Sequence, residues 1–126
     1  MSKIPVISII DDDGSVRAAT STLVKSLGYN VHAFTSAEEF LLSNELNGTS
    51  CVIADVQMPK MSGVELQAHL RAQGHRLPFI FITAFPVESV RATALKAGAT
   101  CVLTKPFGAD VLIQCLNAAL EQHGQE

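Results

Sequence analysis

The 126-residue sequence predicts an α/β fold in which a parallel five-stranded sheet carries helices on both faces. Three observations predict it. Five short apolar segments alternate with five amphipathic ones, so that each strand is followed by a helix. Two of the apolar segments, 51–54 (CVIA) and 79–82 (FIFI), have no polar break, as strands buried on both faces do not. Parallel neighbours also need crossover connections, which the helical segments supply.

Pro5 to Ile10 (PVISII) is the first strand, ended by Asp11-Asp12-Asp13-Gly14. The helix over 15–27 places Val16, Ala19, Leu23, Val24 and Leu27 on one face, and Gly28 closes it as a C-cap. Asn30 to Phe34 alternates apolar and polar residues, as an edge strand does. Ser36-Ala37-Glu38-Glu39 matches a capping box that opens a short helix through Leu42, and a polar loop follows over 44–49. The third strand, Cys51 to Asp55, is stopped by Met58-Pro59.

A second capping box, Ser62 to Glu65, starts a helix running to Ala72, with Gly74 and Pro78 after it. The fourth strand, Phe79 to Ile82, stops at Thr83-Ala84. Pro86 suits the first turn of the next helix, whose apolar face of Val87, Val90, Ala94 and Ala97 is thin. Such small residues bury little area at ~25 cal/mol per Å², so this helix is expected to be the least firmly packed. Thr100 to Thr104 is the fifth strand, ended by Lys105-Pro106. The last helix, over 108–122, shows Val111, Leu112, Cys115, Leu116, Ala119 and Leu120 on one face.

Composition narrows the function. A chain of this length makes one domain spanning 1–126, and 48% apolar with 17% charged residues argues against disorder. A net charge of -3 offers no basic stripe for nucleic acid, and no apolar run is long enough to span a membrane. No cleavage site follows the first apolar run, so a cytoplasmic location is expected. Cys51, Cys101 and Cys115 are odd in number and sit in apolar runs, which reads as buried free thiols rather than a disulfide or zinc site. His32, His69, His75 and His123 have no partner at ligand spacing.

The chemistry lies at the strand ends. Parallel strands gather Asp11, Asp12, Asp13, Asp55, Thr83 and Lys105 on one rim, where open sheets place their binding crevice. Taken singly, an acidic turn is a solvated cap and a strand-end Thr or Lys is structural. Together they point elsewhere. Clustered carboxylates repel one another, and Mg2+ relieves this while completing its shell with phosphate oxygens. A hydroxyl, an ammonium and the backbone amides of Val56 and Ala84 can hold phosphoryl oxygens. The set reads as phosphoryl transfer to a carboxylate, Asp55.

PVISIIDDD, CVIADVQMP, MSGVEL, FIFITA and LTKPF, in this order and spacing, resemble the receiver domain of two-component response regulators over essentially the whole chain. MSGVEL and TALKAGATCVLTKPF are similar to its FixJ-like branch. The resemblance implies a flavodoxin-like (βα)5 fold with strand order 2-1-3-4-5. It also implies that Asp55 accepts a phosphoryl group from a sensor histidine kinase. Mg2+ would be held by Asp12, Asp55 and the Gln57 backbone carbonyl, with Asp11 acting through water and Asp13 supporting. Thr83 and Lys105 would take phosphoryl oxygens, and Lys105-Pro106 would be cis.

Many receivers carry an aromatic residue three positions before the lysine. Val102 stands there instead, which routes the signal through the loop 83–87 and the helix after it. Ala84, Phe85 and Gln57 occupy positions that tune phosphoryl hydrolysis in the family, with Phe85 expected to shield the site. Implied partners are the kinase, a C-terminal helix-turn-helix effector or a separate target, and a second copy docking through the fourth helix and fifth strand on phosphorylation.

Two other readings fit some of the residues. Asp11-Asp12-Asp13-Gly14-Ser15 matches the nucleophile motif of haloacid-dehalogenase-like phosphatases, with Asp11 attacking, but the paired acids expected after the lysine are missing. A receiver-shaped interaction module that takes no phosphate is the other, and the intact set of Asp12, Asp55, Thr83 and Lys105 argues against it.

Overall fold

The computed structural model describes residues 4–84 and 88–124. Strands β1 (Val6–Ile10), β2 (Asn30–Phe34), β3 (Cys51–Asp55), β4 (Phe79–Thr83) and β5 (Cys101–Thr104) alternate with helices α1 (Gly14–Ser26), α2 (Ala37–Leu42), α3 (Gly63–Ala72), α4 (Glu88–Lys96) and α5 (Ala109–Gly124). The strands pair in parallel in the order β2-β1-β3-β4-β5. This is the expected flavodoxin-like arrangement. The predicted helix start at Pro86 and Val87 lies outside the described residues, as does Phe85.

The period of two along each strand separates two cores. Ile10, Val52, Ala54, Phe79, Phe81 and Val102 pack with Phe40, Leu66, Leu70 and Ala94 on the side of α2, α3 and α4. Ile7, Ile9, Cys51, Ile53, Ile80, Ile82 and Leu103 pack with Val24, Leu112, Leu116 and Ala119 on the side of α1 and α5. Every residue of β3 and β4 is buried, which accounts for their unbroken apolar sequences. On α4 only Ala94 is buried, in keeping with the thin stripe read from the sequence.

Helix ends follow local chemistry. Asp13 caps α1 by accepting from the Ser15 and Val16 amides, and Gly28 (φ 97°) follows it in the left-handed region. Ser62 and Glu65 form the full capping box at α3. At α2 the box is incomplete, because the Glu39 carboxylate accepts from the Thr35 amide instead of that of Ser36.

Three expectations need correction. Ala19 is exposed, because Thr20 and Val24 form the buried stripe of α1. Val111 is 40% exposed, because the buried face of α5 runs through Leu112, Cys115, Leu116 and Ala119 and leaves Val111 at its rim. Cys101 and Cys115 are joined as a disulfide and are not free thiols. β5 turns Cys101 toward α5, and the two Cα atoms stand 6.1 Å apart, within disulfide range. Cys51 is a buried free thiol, as expected.

Candidate functional site

Strand register assembles the site. β1 and β3 pair Ile10 with Ala54, which brings Asp11 level with Asp55. β3 and β4 pair Asp55 with Ile82, so Thr83 lies one residue beyond. β4 and β5 pair Thr83 with Thr104, which puts Lys105 next, its amide donating to the Thr83 carbonyl at 2.8 Å. Asp11, Asp55 and Thr83 are buried, Lys105 is half-buried and Asp12 is exposed. The Lys105-Pro106 peptide is cis.

Asp55 is held at both oxygens. Its Oδ1 accepts from the Gln57 amide at 2.8 Å, and its Oδ2 accepts from Lys105 Nζ at 2.7 Å. Lys105 Nζ also lies 3.4 Å from Asp11 Oδ2, an ion-pair distance at which that oxygen makes no hydrogen bond. This second contact is charge attraction, since the directed bond of Lys105 goes to Asp55. The other oxygen of Asp11 accepts from the Asp13 amide at 2.9 Å.

Burial and the Asp55 charge hold the Asp11 carboxyl above the ordinary aspartate range, although the Asp13 amide and Lys105 pull it down. Burial alone lowers Lys105, but its hydrogen bond to Asp55 and the charges of Asp55 and Asp11 outweigh it and leave the ammonium raised.

A divalent cation fits this arrangement. Carboxylate oxygens of Asp11, Asp12 and Asp55 lie within 4.8 Å of one another, and Asp11 Oδ2 is a buried acceptor without a hydrogen bond. Among the described residues the three carboxylates are met by the Lys105 ammonium, and the Arg17 guanidinium is held on the Asp11 carbonyl, so the negative charge is undercompensated. Hard oxygen donors in such a set suit Mg2+, which takes one or two carboxylates and keeps waters.

One expectation about the cradle is corrected. The Val56 amide donates to the Ile82 carbonyl at 2.9 Å, continuing the β3–β4 ladder, so it is not available to a phosphoryl oxygen in this conformation. The Gln57 amide is the one directed at Asp55. Asp13 serves the cap of α1, the plainer of its two roles.

Two site residues escaped the sequence reading. Arg17 Nη1 donates to the Asp11 carbonyl at 2.8 Å, bringing a second cation to the acidic turn. Its position on the first turns of α1 after three acids is a signal that points to this. Gly63 lets α3 begin against the end of β3, since a Cβ there would lie 2.5 Å from the Asp55 carbonyl oxygen and 3.0 Å from Phe81.

The model of the response regulator receiver domain matches residues 7–117. The chain belongs to the response regulator receiver family. The receiver is 40% identical over 121 residues to the response regulator protein TodT of Pseudomonas putida, covering 96% of this chain and 53% of TodT. It is 36% identical over 118 residues to the transcriptional regulatory protein FixJ of Bradyrhizobium diazoefficiens, covering 92% of this chain and 57% of FixJ. The crystal structure of FixJ-N superposes with a TM-score of 0.85 at 31% identity, covering 95% of this chain and 96% of that one. The receiver therefore spans about half the length of the curated relatives it matches. Family membership makes it a signalling domain rather than a conventional enzyme, and leaves the Asp11-phosphatase reading without support.

Proposed function

We propose that this receiver is a phosphorylation-dependent switch that takes a phosphoryl group from the phosphohistidine of a sensor histidine kinase onto Asp55. The observation that carries the reading is the Asp55 carboxylate held between Lys105 at 2.7 Å and the Gln57 amide at 2.8 Å, beside a cluster of acids. An Asp55 oxygen attacks phosphorus, the O–P bond forms, and the P–N bond to the kinase breaks. Lys105 passes from the carboxylate to a phosphoryl oxygen, while the Thr83 hydroxyl and the Ala84 amide take others. Asp12, Asp55 and the Gln57 carbonyl would hold Mg2+, with Asp11 acting through water. When bound, the ion neutralises the phosphoryl charge and keeps the nucleophile ionised.

The output runs through the loop after β4 and the α4–β5 face. Val102 is a buried aliphatic residue among the core contacts beneath α4, and it has no ring to swing. A cleft of about 650 Å³ between the β3–α3 loop and α4, lined by Met58, Ser62, Val64, Ser89, Val90 and Thr93, leaves α4 room to shift. Leu95 on α4 and Val111 on α5, each about two-fifths exposed, suit a dimer formed on phosphorylation. The half-length coverage of TodT and FixJ, with the transcriptional role in the name of FixJ, supports an effector beyond the receiver and a transcriptional output. A C-terminal helix-turn-helix as that effector, a cytoplasmic location and no direct nucleic-acid binding by the receiver complete the proposal.

The test uses acetyl phosphate with magnesium and intact-mass readout. Wild type gains one phosphoryl group, whereas Asp55→Asn and wild type in chelator gain none. Equal labelling of Asp55→Asn would refute the reading.

A further inference from the structure

We propose that Cys101 and Cys115 are a reversible thiol–disulfide pair that sets how firmly the Lys105 loop and α5 are held to the sheet. The bond joins the start of β5 to the middle of α5 across a sequence separation of 14. The segment it closes contains all of β5, Lys105, Pro106, Phe107 and the first part of α5. Without the bond, this segment is kept in place by the β4–β5 ladder and by the packing of Leu103, Leu112 and Leu116. A cross-link forbids openings of the ring that non-covalent contacts allow. It therefore acts on the loop that carries the site cation without touching the site itself.

The accessibility of the three cysteines orders the chemistry. Cys101 is half-buried, Cys115 is 6% exposed and Cys51 is 0% exposed. A low-molecular-weight disulfide meets Cys101 first. The Cys101 thiolate attacks one sulfur, the S–S bond of the small molecule breaks, and one small thiol leaves with the proton that Cys101 lost. Cys115 then attacks the Cys101 sulfur, and the second small thiol leaves with the Cys115 proton. Two protein thiols are oxidised to one disulfide while one small disulfide is reduced to two thiols. A small dithiol reverses the reaction. Burial pushes the Cys51 thiol up to about 12, which keeps it out of the exchange.

The experiment needs no phosphoryl chemistry. The whole chain is equilibrated over a series of oxidised-to-reduced glutathione ratios, quenched with acid, unfolded in denaturant so that the buried Cys51 is reachable, alkylated with a maleimide and weighed. Amide hydrogen exchange of the folded chain is followed at each end of the series. The expected result is three alkylated cysteines under reducing conditions and one, Cys51, under oxidising conditions. Exchange over residues 105–115 should slow by about threefold or more on oxidation. Cys115→Ser should abolish that response and Cys51→Ala should keep it. If Cys115→Ser does not fold, Cys101→Ser at the half-buried partner gives the same comparison. Three free thiols at every ratio, a bond that resists the most reducing mixture, pairing through Cys51, or unchanged exchange on oxidation would each overturn the proposal.

Discussion

Lys105 donates to Asp55 at 2.7 Å while standing 3.4 Å from Asp11, so one ammonium serves two carboxylates. It occupies the charge niche that a divalent cation would share. Lys105→Met should lower stability by roughly 1–3 kcal/mol in chelator, because it strips a charged partner from a buried acceptor. Magnesium should then bind about threefold or more tightly and restore most of the loss. Denaturant unfolding followed by far-UV circular dichroism, with and without magnesium, suits a chain without tryptophan. Phosphoryl uptake should fall by about tenfold or more, because a donor to the developing charge is gone.

Asp11 lies on the opposite side of that balance. Its folded-state pKa is raised, so the stability linked to it is present below the ordinary aspartate value and is lost as pH rises through the raised one. In chelator, the wild type should lose stability over that interval while Asp11→Asn does not. At neutral pH, Asp11→Asn should be the more stable protein by about 1 kcal/mol, a usual gain for relieving such a charge, and should bind magnesium less well. Thermal melts of both proteins from below the ordinary aspartate value up to neutral pH check both statements.

Gly63 sets how closely α3 approaches Asp55, the proposed phosphoacceptor. Gly63→Ala would force a methyl group against the Asp55 carbonyl and Phe81 and should cost about 2 kcal/mol or more by overpacking. The Asp55–Gln57 turn should shift as well, visible as displaced amide resonances of residues 55–57.

Lys60, in the loop between β3 and α3, adopts φ 68°, a left-handed conformation that costs a side chain about 1–2 kcal/mol. Lys60→Gly removes that cost but makes the unfolded chain more flexible, so the net gain should be below about 1 kcal/mol. Lys60→Ala should give no gain, and chemical denaturation of the two variants separates conformation from charge.

The sequence disclosed most where period and order were enough. Unbroken apolar runs identified β3 and β4 as buried on both faces, and parallel order alone brought Asp11, Asp55, Thr83 and Lys105 to one rim. It disclosed least where a result depends on three-dimensional registry. Whether the Val56 amide is free depends on how far the β3–β4 ladder extends, which no residue type states. Thr20 displaced Ala19 because one step of 100° around α1 decides burial. Cys101 and Cys115 looked unrelated because the strand-to-helix connection that joins them is invisible in spacing alone. Arg17 lies within the helix predicted over 15–27, and spacing alone does not state that its guanidinium reaches back across the turn to the Asp11 carbonyl.

Asp55, and not Asp11, is the proposed nucleophile. The direct measurement is to phosphorylate the full chain with acetyl phosphate and magnesium, trap the acyl phosphate by hydride reduction, and locate the reduced residue by peptide mass spectrometry. A single reduced residue at Asp55 is the predicted result. Reduction at Asp11, or steady turnover of phosphate esters without a trapped residue at Asp55, would contradict it.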